Sequence, residues 1–194
     1  ALALKKEGLI DKVIVSTDCE EISKVSQEYG VEVPFLRPEE IAGDKAKSVD
    51  FVLHSIKLYE DIDEKFDAVI VLQPTSPLKT LEDLKNAITL FNQNSSDSLI
   101  STYKEETIND LIMYHKDNDK AIPLDLDHNK GVRRQDHGVV YIRNGAIYIT
   151  RVDYLKKEKR IISDIPLMYE MNKNRSINID TYEDLEYVKN LICK

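Results

Sequence analysis

The chain has 194 residues and a net charge of −8, with 42% hydrophobic and 32% charged residues. This composition is typical of one globular α/β domain that needs no disulfide or metal staples. The acidic balance argues against non-specific nucleic-acid binding, which needs a basic surface, although a cleft on an acidic protein can be locally basic. No apolar run approaches the length that spans a bilayer, so we expect neither a nucleic acid nor a membrane as partner.

The cysteines and the N-terminal residues indicate the cellular compartment of the protein. Cys19 and Cys193 have neither metal-ligand nor redox spacing, which predicts reduced thiols and a cytoplasmic protein. No secretory signal is visible at the N-terminus. The sequence opens at Ala1 within a helical pattern, and we therefore expect further residues upstream.

Short apolar strands alternate with capped helices along most of the chain. Residues 107–138 interrupt this rhythm with a polar excursion that contains one apolar patch, residues 111–114. The predicted elements are a helix ending near Gly8, a strand over 12–16, a helix from an N-cap at Asp18 to Gly30, a strand over 31–35, a helix over 46–59, a strand over 66–72, a helix from a cap at Thr80 to Asn94, strands over 97–103, 141–150, 165–171 and 176–179, and a final helix capped by Thr181 and Asp184.

This alternation predicts an α/β fold with a mostly parallel, Rossmann-like sheet and helices on both faces. Residues 1–106 and 139–194 would form this domain, with residues 107–138 inserted as an arm. Ligands of such sheets bind beyond the carboxyl ends of the strands. Topology alone therefore directs attention to residues 16–18, 35–38 and 73–76 and to Asp180.

Six segments, taken in order, resemble the acylneuraminate cytidylyltransferase family. The most diagnostic is Leu72-Gln-Pro-Thr-Ser-Pro-Leu78, and the order and spacing fit along the whole chain. The other five are Val13-Ile-Val-Ser-Thr-Asp18 followed by Glu20-Glu-Ile22, Val33-Pro-Phe-Leu-Arg-Pro38, Arg133-Arg-Gln-Asp136, Asn144-Gly-Ala-Ile-Tyr-Ile149 and Ser176-Ile-Asn-Ile-Asp180.

The resemblance implies a nucleotidyltransferase that makes a CMP-sugar for cell-surface glycans. The anomeric hydroxyl of a nonulosonic acid, a sialic-acid-like sugar, would attack the α-phosphate of CTP, and pyrophosphate would leave. Such a reaction requires two anions to be positioned and charge on the triphosphate to be neutralised, commonly with Mg²⁺. The family also carries its dimerisation element where residues 107–138 lie, which implies a homodimer.

Three residues are implied at the junction of nucleotide and sugar. Arg37 and Ser48 would contact the cytosine nucleotide, and Gln73 would hydrogen-bond the sugar. Each has a structural alternative: Arg37 a surface ion pair, Ser48 a helix-start hydroxyl, and Gln73 a turn residue before Pro74. We favour the functional role for Arg37 and Gln73. For Ser48, the base contact and the helix-start hydroxyl are equally well supported.

Further contacts are implied on the sugar side. Arg134 would hold the sugar carboxylate, although its neighbour Arg133 is an equal candidate. Asn144 would contact the sugar or a phosphate; taken alone, an Asn-Gly pair is more often a turn. The four histidines match no nucleophile or metal constellation, and His54 is expected to serve in helix packing.

Asp180 is the predicted catalytic residue and Mg²⁺ ligand. The family form of this segment is Asp-Ile-Asp, whose i and i+2 carboxylates share one face of a strand. This chain has Asn178 in the first position, a neutral oxygen ligand that predicts weaker metal binding or greater reliance on phosphate oxygens.

One family feature is absent from the sequence: the basic, glycine-containing nucleotide loop, which should precede Ala1. If the protein truly lacks that loop, the alternative is a non-catalytic module that binds nucleotide-sugars or assembles with a partner. Within the enzyme reading, legionaminic, pseudaminic and 3-deoxy-octulosonic acids compete with sialic acid. A plain dinucleotide-binding domain is disfavoured, because no Gly-x-Gly-x-x-Gly run occurs.

Overall fold

A computed structural model describes residues 1–43, 46–131 and 138–193. Within these ranges, no helix is both long enough and apolar enough to cross a membrane. The regular elements are helices α1 (Leu2–Lys6), α2 (Glu20–Glu28), α3 (Ser48–Glu60), α4 (Leu81–Asn92), α5 (Val152–Glu158) and α6 (Tyr182–Ile192), and strands β1 (Ala68–Val71), β2 (Ser98–Glu105), β3 (Tyr114–Asp117), β4 (Lys120–Pro123), β5 (Val140–Arg151) and β6 (Leu167–Glu170).

The main sheet has the strand order β1-β5-β2-β6. Strands β1, β2 and β6 run in one direction, and β5 runs against them, so only the β2–β6 pair is parallel. Strand β5 is antiparallel to β2 because the chain turns back after the excursion that follows β2. Val140 at the start of β5 then pairs with Glu105 at the end of β2. The predicted α/β class is confirmed. The predicted mostly parallel sheet is wrong, because β5 lies between β1 and β2 and makes two of the three strand pairs of this sheet antiparallel.

Helices cover both faces of the sheet, as predicted. Along β1, Ala68 and Ile70 pack into a core with α1 and α4, whereas Val69 and Val71 pack into a second core with α3 and α5. This alternation is the two-residue period of a strand that is covered on both sides.

Several predicted boundaries change in the structure. Residues 12–16 and 31–35 form one isolated parallel bridge, Ile14 to Glu32, in place of the predicted strands, and a second bridge joins Thr17 to Leu36 just beyond these ranges. The predicted N-cap at Asp18 is wrong: α2 begins one residue later, with Cys19 at the cap position. The caps at Thr80 and Thr181 are confirmed, each with an aspartate three residues on.

The excursion and the last predicted strand also differ from expectation. The polar excursion contains the antiparallel hairpin of β3 and β4. Residues 176–179 form no strand; they follow a 3-10 turn, Lys173–Arg175, and Ile179 donates one backbone hydrogen bond to the Thr75 carbonyl. Helix α5 has no counterpart among the predicted elements.

Candidate active site

A cleft of about 370 Å³ opens at the carboxyl ends of β1 and β2. It collects four of the predicted site residues: Gln73, Asn144, Asn178 and Asp180. The other lining residues are Tyr103, Ile142, Arg143, Gly145, Tyr148 and Ser176. Residues from four distant stretches of sequence thus meet at the edge where topology predicted a ligand.

Gln73 and Gly145 approach each other closely across this cleft. Gln73 follows β1 and Gly145 interrupts β5 with a φ of +73°, a left-handed conformation that favours glycine. A Cβ at position 145 would lie 3.0 Å from Oε1 of Gln73. The glycine therefore leaves the space in which the Gln73 amide rests.

Asn144 lies in a bulge of β5, where residues 144–147 stand opposite the single residue Ser101 of β2. The Asn144 Oδ1 accepts hydrogen bonds from the Ser101 hydroxyl (2.6 Å) and the Ala146 amide (3.2 Å). Its Nδ2 donates to the Ser176 hydroxyl (2.9 Å) and approaches the Met171 sulfur (3.3 Å). Each donor and acceptor of this buried amide is thus directed at a protein partner.

Lys79 holds the turn that carries Gln73. Its ammonium donates to the backbone carbonyls of Gln73 (2.7 Å) and Ser76 (2.6 Å). Burial lowers the pKa of Lys79 to about 8, because the charged amine is partly removed from water. The two charge-assisted bonds fix the shape of the turn after β1.

Asn178 connects that turn to Asp180. The buried Ser76 hydroxyl lies 3.2 Å from Oδ1 of Asn178, and Nδ2 of Asn178 donates to Oδ1 of Asp180 at 2.6 Å. Because a carboxylate only accepts hydrogen bonds, the amide group that faces Asp180 has to be the nitrogen. For the Asn178 oxygen to face the same cation as Asp180, this amide would have to rotate and give up its bond to the carboxylate.

Asp184 completes the cap of α6, as predicted. Its Oδ2 accepts from the Thr181 hydroxyl (2.8 Å), the Thr181 amide (2.9 Å) and the Asp180 amide (3.1 Å). These bonds, led by that of the Thr181 hydroxyl, lower the pKa of the Asp184 carboxyl. The backbone of Asp180 is thereby anchored to the helix start while its side chain stays exposed.

Cytidylyltransferases generally use a divalent metal ion. The donors at this site fit such an ion in one specific way: with Oδ1 of Asp180 occupied by Asn178, Oδ2 remains open. One or two carboxylates plus substrate phosphates is a common way to hold Mg²⁺. Among the described residues, no group of three or more His, Cys, Asp or Glu side chains is placed to hold a metal by itself.

Arg37 and Ser48 lie outside this cleft and belong to a neighbouring surface. The Arg37 guanidinium stacks on the Phe51 ring at 4.5 Å and bonds the Ser16 hydroxyl at 3.2 Å. Ser48 is the exposed first residue of α3, one turn before Phe51. Because i and i+3 residues share a helix face, Arg37 and Ser48 flank the same end of α3.

Arg134 and its alternative Arg133 lie outside the described residues. The structure adds a cation that the sequence reading missed, Arg143, which is exposed and lines the cleft. Tyr103 and Tyr148 were also missed. Tyr103 and Arg143 lie in none of the six segments, and Tyr148 lies in one but was assigned no role. The pairing register of β2 and β5, which a sequence does not reveal, brings all three to the cleft.

A buried carboxylate lies at the end of β2, two residues beyond Tyr103 of the cleft. Glu105, at the end of β2, is 2% exposed and pairs with Lys173 at 2.5 Å. The Lys173 ammonium, and then the Thr107 hydroxyl and amide, lower the pKa of Glu105 to about 2. This pair ties β2 to the 3-10 turn that leads into Asn178.

Outside the cleft, the described chain has a second, polar hollow of about 270 Å³ beside Tyr154 and Ser163. It gathers none of the predicted site residues. His54, by contrast, packs edge-on against Phe35 with ring centres 4.8 Å apart, which confirms its predicted packing role.

The sheet order and the cleft define an α/β fold of the nucleotidyltransferase type. The crystal structure of 4-diphosphocytidyl-2C-methyl-D-erythritol synthase from Anaerococcus prevotii is similar in fold, with a TM-score of 0.59 over 98% of this chain and 85% of that one. Sequence identity is 13%, so this likeness concerns the fold alone. The chain belongs to the cytidylyltransferase family, whose model matches residues 2–193.

Curated relatives confirm the resemblance inferred from the six segments. The chain is 32% identical to the N-acylneuraminate cytidylyltransferase of Escherichia coli O18:K1:H7, over 95% of this chain and 42% of that protein. It is 31% identical to the pseudaminic acid cytidylyltransferase of Campylobacter jejuni, over 94% of this chain and 78% of that protein. The chain thus spans less than half the length of the first relative, and most of the second.

A third relative widens the range of sugars. The CMP-N,N'-diacetyllegionaminic acid synthase of Legionella pneumophila is 26% identical, over 98% of this chain and 82% of that protein. The three names refer to three different acidic sugars. Membership of the family therefore leaves the particular sugar open.

Proposed function

We propose that the full-length protein joins CTP to a nonulosonic acid and releases pyrophosphate, as a step towards cell-surface glycans. The anomeric oxygen of the sugar forms a bond to the α-phosphorus of CTP, the bond from that phosphorus to the β-phosphate oxygen breaks, and the hydroxyl proton is lost to solvent or a base. The observation that carries the proposal is the convergence of Gln73, Asn178 and Asp180 in one cleft of a cytidylyltransferase-family fold.

The cleft is proposed as the sugar site. Gln73 offers an uncharged amide to sugar hydroxyls, and Gly145 leaves room for that amide. Asn144, predicted as a sugar contact, has its amide directed at protein partners, which supports a role in shaping the bulge beside the sugar. Arg134 remains the proposed partner of the sugar carboxylate, and Arg143 offers a second guanidinium within the cleft.

The nucleotide is proposed to lie between this cleft and the start of α3. Arg37 keeps a planar guanidinium at that position, and its bonds to Ser16 and its stacking on Phe51 hold it in one orientation. Ser48 presents an exposed hydroxyl at the same helix end. A guanidinium already held in place loses little freedom when it meets the base.

Asp180 is proposed as the catalytic ligand of Mg²⁺. The ion would supply neutralisation of charge on the triphosphate, and Asp180 would fix its place with one open carboxylate oxygen. Anchoring by Asp184 and the cap of α6 holds the Asp180 backbone for this task. The remaining oxygen ligands would come from phosphates and water.

Residues 107–138 are proposed as a dimerisation arm inserted into the single α/β domain of residues 1–106 and 139–194. The β3–β4 hairpin is consistent with such an arm, because the hairpin and the residues that flank it expose apolar side chains that a partner subunit would cover. They are Ile112, Met113, Tyr114, Ile122, Leu124 and Leu126. Sedimentation of the full-length protein at micromolar concentration should show a dimer, and a monomer would contradict the arm.

The site of action is proposed to be the cytoplasm, which fits two cysteines without a disulfide. The activity itself can be tested by ³¹P NMR of the full-length protein with CTP, Mg²⁺ and a nonulosonic acid. A new phosphodiester signal together with pyrophosphate supports the proposal. Tight CTP binding without either signal would favour the alternative, a non-catalytic nucleotide-sugar module.

A further inference from the structure

We infer that Asn178 is a positioning residue that holds Asp180 through its amide nitrogen, and that the cation site at this edge has a single carboxylate. This inference rests on the proposed function, because it concerns the same site. It changes the role that the sequence predicts for Asn178, from metal ligand to hydrogen-bond donor. The geometry of three neighbouring side chains carries it.

The first step is the hydrogen bond to the carboxylate. Nδ2 of Asn178 lies 2.6 Å from Oδ1 of Asp180, a short, charge-assisted bond. An amide nitrogen in this state has no lone pair to offer a cation. The bond also occupies Oδ1 of Asp180, a residue that lines the cleft.

The second step is what holds Asn178 in this orientation. Ser76 is 1% exposed, and its hydroxyl donates a hydrogen bond of 3.2 Å to Oδ1 of Asn178. Rotation of the amide would place its oxygen against the Asp180 carboxylate, where two acceptors repel, whereas the Ser76 hydroxyl can either donate to the oxygen or accept from the NH₂ group. Asp180 thus selects the orientation of the amide, and Ser76 donates to the oxygen that this orientation presents.

The third step concerns the backbone on either side. Ile179 donates to the Thr75 carbonyl at 2.8 Å, and the Asp180 amide donates to Asp184 at 3.1 Å. These bonds fix the path of the main chain between Asn178 and Asp180. The orienting chain therefore runs from the turn that bears Gln73, through Ser76 and Asn178, to Asp180.

A cation site with one carboxylate has a clear chemical consequence. An aspartate pair binds a divalent ion before the nucleotide arrives, whereas one open oxygen binds it weakly and relies on phosphate oxygens for the rest. We therefore expect the ion to enter mainly as its complex with CTP. Asn178→Asp would add a second carboxylate and remove the donor, and Mn²⁺ binding without nucleotide should strengthen about tenfold.

The decisive experiment is a ¹H–¹⁵N spectrum of side-chain amides in the full-length protein, with the Asn178 pair assigned by its loss in Asn178→Asp. One proton of this pair should be shifted downfield by the carboxylate bond, and it should stay so when Mg²⁺ is added with CTP. Asp180→Ala should abolish the shift. A pair that resembles free amides, or that loses its shift when Mg²⁺ and CTP are added, would overturn the inference.

Kinetics give a second readout that does not depend on the spectrum. Ser76→Ala and Asn178→Ala should each lower kcat by about 10- to 100-fold, as for groups that orient a metal ligand. The double variant should be no slower than the worse single variant, because both act through one chain. Asn174→Ala, an exposed asparagine of the preceding turn, serves as the control that should retain full activity.

The two hypotheses fail in distinguishable ways. If the amide shift is present but no nucleotide yields pyrophosphate, the proposed function is wrong and the positioning bond stands. If pyrophosphate is released and the losses in Ser76→Ala and Asn178→Ala multiply in the double variant, the positioning chain is wrong and the function stands.

Discussion

The hydroxyl of Ser101 donates a hydrogen bond of 2.6 Å to the side-chain oxygen of Asn144, and both residues are buried. The same hydroxyl accepts from the Ile147 amide at 2.8 Å. One serine on β2 therefore holds both ends of the β5 bulge. Since the bulge carries Asn144 and Gly145 to the cleft, the stability of the core and the shape of the site are linked here.

Ser101→Ala should destabilise the protein by about 1–3 kcal/mol, because it leaves a buried acceptor on Asn144 and a buried donor on Ile147 without their partner. The free energy of unfolding in urea measures this. Ser95→Ala, at an exposed serine after α4, is the matched control and should change stability by less than about 0.5 kcal/mol. Equal stability of the two variants would contradict the role given to Ser101.

Gly145→Ala should raise the KM for the sugar by displacing Gln73, whose Oε1 would be 3.0 Å from the new methyl group. It should also cost roughly 1–2 kcal/mol of stability because of the left-handed backbone. Gly30→Ala has a φ of +79° with open space around its Cβ, so it carries the backbone cost alone. A similar rise in KM in both variants would argue against Gln73 as a sugar contact.

Glu105 predicts a specific pH dependence of stability. Its pKa of about 2 in the folded protein lies below the ordinary value of 4.5, so the unfolded chain takes up the proton first as the pH falls. The stabilisation is complete above pH 4.5 and is lost as the pH falls from there towards 2. Urea unfolding at several pH values should show a shallower loss for Glu105→Gln than for the wild type. An equally steep loss of stability in both proteins would contradict the role given to Glu105.

Asp180→Ala should lower turnover on the order of 10²- to 10³-fold, since it removes the proposed ligand of the Mg²⁺ that would neutralise the triphosphate. Stability should change by less than about 1 kcal/mol, because Asp180 is exposed and its backbone bond to Asp184 remains. Steady-state kinetics and urea unfolding together test this, with the exposed Asp11→Ala as control. Comparable losses of activity and stability would indicate a structural role.

The predictable part of the fold is the part fixed locally. The caps at Thr80 and Thr181 follow from an aspartate three residues on, and the apolar run of β1 from burial on both faces. The direction of β5 was beyond local reasoning, because it depends on the return of the chain beside Glu105 after a long excursion.

The candidate site was likewise predictable only where local sequence determines it. Gln73, Asn178 and Asp180 are found from their places after strands and in motifs, and the structure brings them together. Arg143 and Tyr148 belong to the cleft only because the bulge in β5 sets which of its side chains face it. The internal bonds of Asn144 and the amide orientation of Asn178 depend on Ser101 and Ser76, contacts between residues far apart in sequence that no spacing rule reveals.

The central claim is tested most directly by pyrophosphate release from the full-length protein with Mg²⁺, one nucleotide and one acidic sugar per reaction. The sugar panel comprises sialic, pseudaminic, legionaminic and 3-deoxy-octulosonic acids, and CTP is compared with ATP and UTP. We predict release with CTP and one nonulosonic acid, but not with ATP or UTP. A folded protein that releases no pyrophosphate with any pair would contradict the assignment as a cytidylyltransferase of acidic sugars.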